Sequence, residues 1–364
     1  MRAIQRHQGL ELQIVAAASA LLDRYGQVVD LIETDGFEIN ERLYILIEGE
    51  TPVTMAKSTG IGLLELSSAF DRLAPDVVIT VGDRFETMAT TLAAAYMNIP
   101  VAHTMGGEVS GTIDESIRHA VTKFAHIHFP ASRDAAERIV RLGERPEMVF
   151  QVGCPRIDLV AEILAEDGCE LDSQIFDIGV GDRIDPMKPF VLVSQHPVTT
   201  EYGEGEHQIN ETLSAVRATG MQAIVLWPNS DAGSDDIARG IRRFREQGMA
   251  SNMHFFKNLP ISTYIHLMKR TSCLIGNSSS GIREGSFIGT PVVNIGSRQA
   301  YRERGNNVLD VAPISSEIQK AIAIQLAHGP YHSNDIYGNG SSGQRIADIL
   351  AGLGTVSVQK RIIY

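Results

Sequence analysis

The chain has 364 residues, is 43% hydrophobic and 21% charged, and carries a formal net charge of −12. That length predicts two domains, and the acidic balance excludes nucleic acid as the main partner, because a phosphate backbone needs a basic surface. No apolar run reaches the roughly 18–20 residues of a membrane span, MRAIQRHQGL has no secretory apolar region, and Cys154, Cys169 and Cys273 lack metal or disulfide spacing, which points to the reducing cytoplasm.

In chain order, Val- and Ile-rich runs predict strands at 10–17, 76–82, 99–105, 126–132 and 148–153, then at 190–195, 222–229, 253–259, 273–279, 291–296 and 307–311. Helical patterns lie between them at 56–73, 84–97, 115–123, 132–142, 207–218, 234–247, 261–270, 316–327 and 342–353. Continuous apolar strands separated by helices indicate parallel sheets covered on both faces. Two such series give an α/β chain of two Rossmann-like, doubly wound domains, 1–157 and 158–339, with a C-terminal helix in 340–364 joining the first. The acidic, poorly periodic stretch 165–189 reads as an exposed loop region of the second domain. MRAIQRHQ reads as the helix that normally follows a first central strand, so the first domain is expected to lack that strand.

Ligands of open parallel sheets bind beyond the carboxyl ends of the strands. Those ends are polar here. After 76–82 come Asp83, Arg84 and Glu86. After 99–105 comes HTMGGEVSGTIDESIRH, with Glu108, Asp114, Arg118 and His119. Later strands are followed by His196, by Asn229, by GNSSSGIRE with Ser278, Ser279 and Glu284, and by Arg298. GNSSSGIRE reads either as an anion cradle of free N–H groups before a helix or as an ordinary Ser N-cap. Glu284 suits ribose hydroxyls, and Arg298 could face a diphosphate. Asp83 reads either as the cap of helix 84–97 or as an acid–base group, with Arg84 on a phosphate. His126 and His128 alternate with apolar residues in a strand, where a hydrogen-bonded core histidine is an alternative to a functional one. No His, Cys or carboxylate set has metal-ligand spacing, and Trp227 reads as a packing residue.

The motifs GDRFE, GGEVSGTIDESIRHAVTK, QHPVTT, PNSDAGS and GNSSSGIREGSFIGTPVVNIGSRQ resemble, in order and over nearly the whole chain, the hydrolysing UDP-N-acetylglucosamine 2-epimerases. The resemblance implies a glycosyltransferase-B-like fold with the active site in the interdomain cleft, no metal, no redox cofactor, a UDP-sugar as ligand and a homo-oligomer, dimer or tetramer. It implies removal of the sugar C2 proton, departure of UDP from C1, addition of water at C1 and return of a proton to C2 from the other face, giving N-acetylmannosamine and UDP. It assigns acid–base roles to Asp83 and Asp114, with Glu108 and His119 as further catalytic candidates. It assigns nucleotide contacts to Arg84, His196, Asn229, Ser278, Ser279, Glu284, Arg298 and the backbone at Leu259.

The pattern departs from the family at three places. Met105 stands where the epimerase half of the family's bifunctional animal enzyme has a carboxylate, Ala20 replaces a frequent His, and the Arg-bearing loop after the family's first strand has no counterpart. Two alternatives therefore stand beside the leading reading: the same reaction on UDP-diacetylbacillosamine or GDP-N-acetylglucosamine, and nucleotide-sugar binding without turnover. A glycosyltransferase is a further option, since a shared fold does not fix function.

Overall fold

The computed structural model describes residues 1–23, 27–48, 52–109, 113–166, 176–198, 200–228 and 233–363. The chain divides into two compact units. Unit 1 comprises Met1–Val109, Ile113–Cys154 and Ser341–Tyr364, and the body of unit 2 is Pro155–Gly340. The division at Cys154 falls three residues before the 157/158 expectation. The physical reason is the helix Pro155–Ala165, which the hydrophobic pattern left unassigned. Its Val160 and Ile163 are buried in a unit 2 core, and Ile157 is also buried.

The strands of unit 1 are β1 (Val15–Ala17), β2 (Glu41–Leu43), β3 (Val78–Val81), β4 (Val101–Thr104) and β5 (Ile127–Phe129). They form two parallel sheets, β1–β2 and β3–β4–β5. Val78 and Val101 pack on one side with Leu66, Ala69 and Phe70 of the helix Pro52–Leu73 and Phe85, Ala89 and Ala93 of the helix Phe85–Tyr96. Ala102, Ile127 and Phe129 pack with Ile346, Ile349 and Leu350 of the C-terminal helix Ser342–Gly352. Neighbouring strand residues face opposite sides, so the continuous apolar run feeds two cores. Segment 148–153 is no strand: Pro146–Met148 is a 3-10 turn, and Val149 makes a single parallel bridge to His128. A Pro without an N–H and only one bridge are too little for a ladder. The N-terminal helix spans Arg2–Arg6.

Unit 2 contributes β6 (Val180–Gly181), β7 (Phe190–Ser194), β8 (Gln222–Leu226), β9 (Met253–Phe256), β10 (Cys273–Gly276), β11 (Val292–Ile295) and β12 (Val308–Val311). They make one sheet in the order β12-β11-β10-β7-β8-β9-β6, parallel except for the edge strand β6. From β7 onward this is the doubly wound order 3-2-1-4-5-6. Val191 and Val193 face a core with Ile209, Leu213, Ile237, Ile241 and Ile318, against which Trp227 packs. Phe190 and Leu192 face the opposite core with Val160, Ile265 and Leu267. Chain order reverses between β7 and β10, so the crevice for a ligand opens beyond Ser194 and Gly276. Among the described residues no helix is long and apolar enough to cross a membrane.

Candidate functional site

Polar groups gather at the carboxyl ends of the strands in each unit. In unit 1, β3 is followed by Gly82, whose φ of +79° suits glycine. Its N–H donates to the Thr104 carbonyl at 3.1 Å, and its own carbonyl receives His103 Nε2 at 2.7 Å. A carbonyl only accepts, so Nε2 carries the proton and Nδ1 is bare. That nitrogen is buried, with no hydrogen-bond partner among the described residues, and a Cβ on Gly106 would lie 2.8 Å from it. Burial, opposed by the Gly82 hydrogen bond, pushes the His103 pKa down to about 4 and keeps the ring neutral.

Asp83 is not a helix cap. The cap position of Phe85–Tyr96 is Arg84, which makes no side-chain cap bond. The Asp83 carboxylate instead accepts from Arg118 Nη2, and Arg118 is 2% exposed. The same guanidinium donates from Nη1 to the Glu108 carbonyl at 2.7 Å. One buried Arg thus joins the end of β3 to the loop after β4, a use that the planar fork of donors favours. Asp114 precedes Arg118 by one helical step of four on Ile113–Phe124 and shares its face. Arg118 therefore groups Asp83 and Glu108 directly and carries Asp114 on the same helix. His119 Nε2 lies 3.5 Å from Glu115 Oε1.

The loop itself is tightly constrained. Met105 sits at φ +64° and is buried, an unusual conformation for a side-chain-bearing residue. A Cβ on Gly107 would meet the Ala135 carbonyl at 2.2 Å, so only glycine fits there. Its carbonyl accepts from Arg138 Nη1 at 2.5 Å. Arg84 is largely exposed and lies 3.4 Å from Glu86. His126 and His128 serve the scaffold: His126 accepts from the Val101 N–H at 3.1 Å, and His128 reaches Glu144 at 3.2 Å. Glu144 also takes Lys123 at 2.7 Å and Lys360 at 2.5 Å. Burial raises its pKa, but these three partners outweigh burial and bring it to about 2.

In unit 2 the two strands flanking the switch point are tied side to side. His196 N–H donates to Asn277 Oδ1 at 2.7 Å, and Asn277 Nδ2 donates to the His196 carbonyl at 2.8 Å. Gly276 has φ +137°, and a Cβ there would lie 2.1 Å from the Ser194 carbonyl. Arg298 Nη1 and Gln299 Nε2 both donate to the Asn277 carbonyl, at 3.2 and 3.0 Å. The expected helix after Ser278 is broken at Arg283 into Ser279–Ile282 and Glu284–Ile288. Hydroxyls and individual N–H groups, rather than a long helix dipole, are what this loop offers an anion. Glu284 is buried, and its Oε1 lies 3.4 Å from Arg156 Nε. Leu259 is half-buried, and its N–H donates to Asn258 Oδ1 at 2.9 Å. Asn229 lies outside the described residues.

The model of the family described as UDP-N-acetylglucosamine 2-epimerase matches residues 2–351. The chain belongs to this epimerase family. Within it, the chain is 34% identical over 350 residues, 96% of its own length and 90% of the relative's, to the hydrolysing UDP-N,N'-diacetylbacillosamine 2-epimerase of Legionella pneumophila. It is 27% identical, over 99% of its length and 93% of the relative's, to the UDP-N-acetylglucosamine 2-epimerase of Neisseria meningitidis. In fold it is similar to the crystal structure of UDP-GlcNAc 2-epimerase from Neisseria meningitidis bound to UDP-GlcNAc, with a TM-score of 0.78 at 18% identity over 95% of this chain and 93% of that one. The family agrees with the motifs, and the Rossmann-like fold of both units agrees with the strand pattern. The residues that hold the candidates in place, namely Arg118, Arg138, Arg156 and Gln299, were not among the predicted site residues. Of these, only Arg118 stands out in the sequence, as a charged residue of the polar stretch after 99–105.

Proposed function

We propose that the chain is a hydrolysing 2-epimerase that converts a UDP-linked 2-acetamido sugar to UDP and the free 2-epimer. The observation that carries the reading is Arg118: a buried guanidinium bound to the Asp83 carboxylate and to the Glu108 backbone, in a chain of the epimerase family. It holds the Asp83 carboxylate and the backbone of the Glu108 loop together at strand ends, where the chemistry needs groups that take a proton from C2 and return one.

In this reading a carboxylate among Asp83, Glu108 and Asp114 removes the C2 proton, with His119 as a further candidate. The C1–O bond to UDP breaks as the C1–C2 double bond forms. Water then adds at C1, and C2 takes a proton on its opposite face. The balance is one water consumed and one UDP released. Arg298, Ser278, Ser279 and the N–H groups of their loop meet the charge that develops on the leaving diphosphate, Arg84 is a further phosphate ligand, and Glu284 meets the ribose hydroxyls. His196 and Asn229 line the nucleotide and the Leu259 backbone meets its base.

The substrate we favour is UDP-N-acetylglucosamine, giving N-acetylmannosamine. The 34% identity to the Legionella relative supports a second reading, the same chemistry on UDP-N,N'-diacetylbacillosamine; a few pocket groups separate two such sugars. The test is incubation of the purified protein with each UDP-sugar, following UDP and the free sugar. UDP with a 2-epimer is the expected outcome, and the larger kcat/KM identifies the substrate. Tight UDP binding with no product from either sugar would replace the reading with binding alone. Met105 supplies an internal check: if its carboxylate-free side chain limits the rate, Met105→Glu raises turnover.

A further inference from the structure

Tyr264, on the helix Ile261–Arg270, has no role in the account above. Its hydroxyl lies 2.6 Å from Ser280 Oγ, and Ser280 Oγ lies 2.8 Å from Ser278 Oγ. Ser194, at the end of β7, and Ser278 itself are also within the Tyr264 hydroxyl's hydrogen-bonding reach, and Ser194 Oγ lies 3.5 Å from His196 Nε2. The phenol therefore sits where the ends of β7 and β10 meet, beneath the switch point. Ser194 and Ser280 are buried, whereas Ser278 is half-exposed.

The direction of the protons in this chain follows from donor strength. A phenol is a better donor than an aliphatic hydroxyl, and Ser280 is its close partner at 2.6 Å, so Tyr264 donates to Ser280 and Ser280 donates to Ser278. The Ser280 N–H adds a second donor to Ser278 Oγ at 3.4 Å. With both lone pairs of Ser278 occupied, its own proton has to point away from the chain. Cooperative polarisation along hydroxyl chains strengthens that last donor. Burial, partly offset by the bond to Ser280, raises the Tyr264 pKa to about 12, so the phenol keeps its proton at any working pH.

We infer that Tyr264 is a positioning residue that turns the Ser278 hydroxyl outward as a donor to an anionic oxygen of the nucleotide diphosphate. This role rests on the proposed binding of a UDP-sugar in unit 2. It belongs to the hydroxyl and not to the ring, so Tyr264→Phe isolates it.

The experiment is calorimetric titration of the whole protein, unchanged and as Tyr264→Phe, Ser278→Ala and the double variant, with UDP and with uridine. Tyr264→Phe is expected to bind UDP about three- to tenfold more weakly, the worth of one neutral hydrogen bond, because the Ser278 hydroxyl stays but loses its orientation. Uridine affinity stays unchanged, because uridine has no phosphate. The double variant binds UDP no more weakly than Ser278→Ala. A merely structural role would weaken UDP and uridine alike and lower the melting temperature. Equal UDP affinity in Tyr264→Phe and the unchanged protein, or additive losses in the double variant, overturns the inference while leaving the function standing. Failure of the unchanged protein to bind UDP overturns both.

Discussion

The two units are built on one plan and hold their polar strand ends by different means. β1 and β2 match β8 and β9 in chain order, and β3–β5 match β10–β12, but among the described residues unit 1 has no counterpart of β7. In unit 2, β7 pairs with both β8 and β10, and the Ser194 carbonyl receives the Asn277 N–H at 3.1 Å. The backbone ladder itself sets the positions of His196 and Asn277. In unit 1, β1–β2 and β3–β5 meet through packing of Val15, Ala17 and Leu43 with Val78 and Val101. Its polar end is held by side chains instead: His103 on Gly82, Arg118 on Asp83 and Glu108, Arg138 on Gly107. A ladder tolerates the loss of one side chain better than a set of buried ionic braces does.

The largest effect that comparison predicts is for Arg118→Ala. Removing a 2% exposed guanidinium strands the Glu108 carbonyl and leaves Asp83 without this partner; because the Asp83 side chain is 26% exposed, the cost is about 3 kcal/mol, the low end for a broken buried pair. Urea unfolding and the product assay should show a large stability loss with turnover abolished. A loss below about 1 kcal/mol would mean that unit 1 does not depend on its brace.

Next is pH. The folded pKa of His103, about 4, lies below the ordinary 6.5, so its contribution to stability is complete above pH 6.5 and is lost as pH falls toward 4. The contribution is about 3 kcal/mol, and burial shifts His126 and His128 in the same direction. Melting curves between pH 7 and 4 should fall steeply, and His103→Gln should make the slope shallower. An unchanged slope would contradict a neutral, buried His103.

Asn277→Ala removes both bonds of the clamp in unit 2, but the β7–β10 ladder remains. A loss of about 2 kcal/mol, with weaker UDP binding, is expected from denaturant and binding titrations. A loss as large as that of Arg118→Ala would erase the distinction between the two units.

The smallest effect belongs to Arg156→Ala. The Arg156 side chain is 46% exposed, so its ion pair with Glu284 contributes under about 1 kcal/mol to stability. A thermal shift of more than a few degrees would show that Glu284 depends on its partner.

Much of this was legible in the sequence because parallel strands covered on both faces are written as continuous apolar runs, and FVLVS and CLIG are found as the strands β7 and β10. What failed was short or locally ambiguous. The triplet of β2 is too brief to show a period, and the run 148–153 carries strand-like residues beside a Pro turn. Asp83 illustrates the limit at the site. An Asp near a helix start reads as a cap, and its partner Arg118 is 35 residues away on another helix. Gly107 and Gly276 show the same limit, because the carbonyls of Ala135 and Ser194 that exclude a side chain there come from segments far away in the sequence.

The most direct test of the proposed chemistry is the proton NMR spectrum of the products formed from UDP-N-acetylglucosamine in D2O, with UDP-N,N'-diacetylbacillosamine in parallel. Deprotonation at C2, loss of UDP and return of a solvent proton predict UDP together with a free 2-epimer that carries deuterium at C2. A free sugar that keeps its original configuration and its C2 proton would contradict the account, since that is plain hydrolysis at C1.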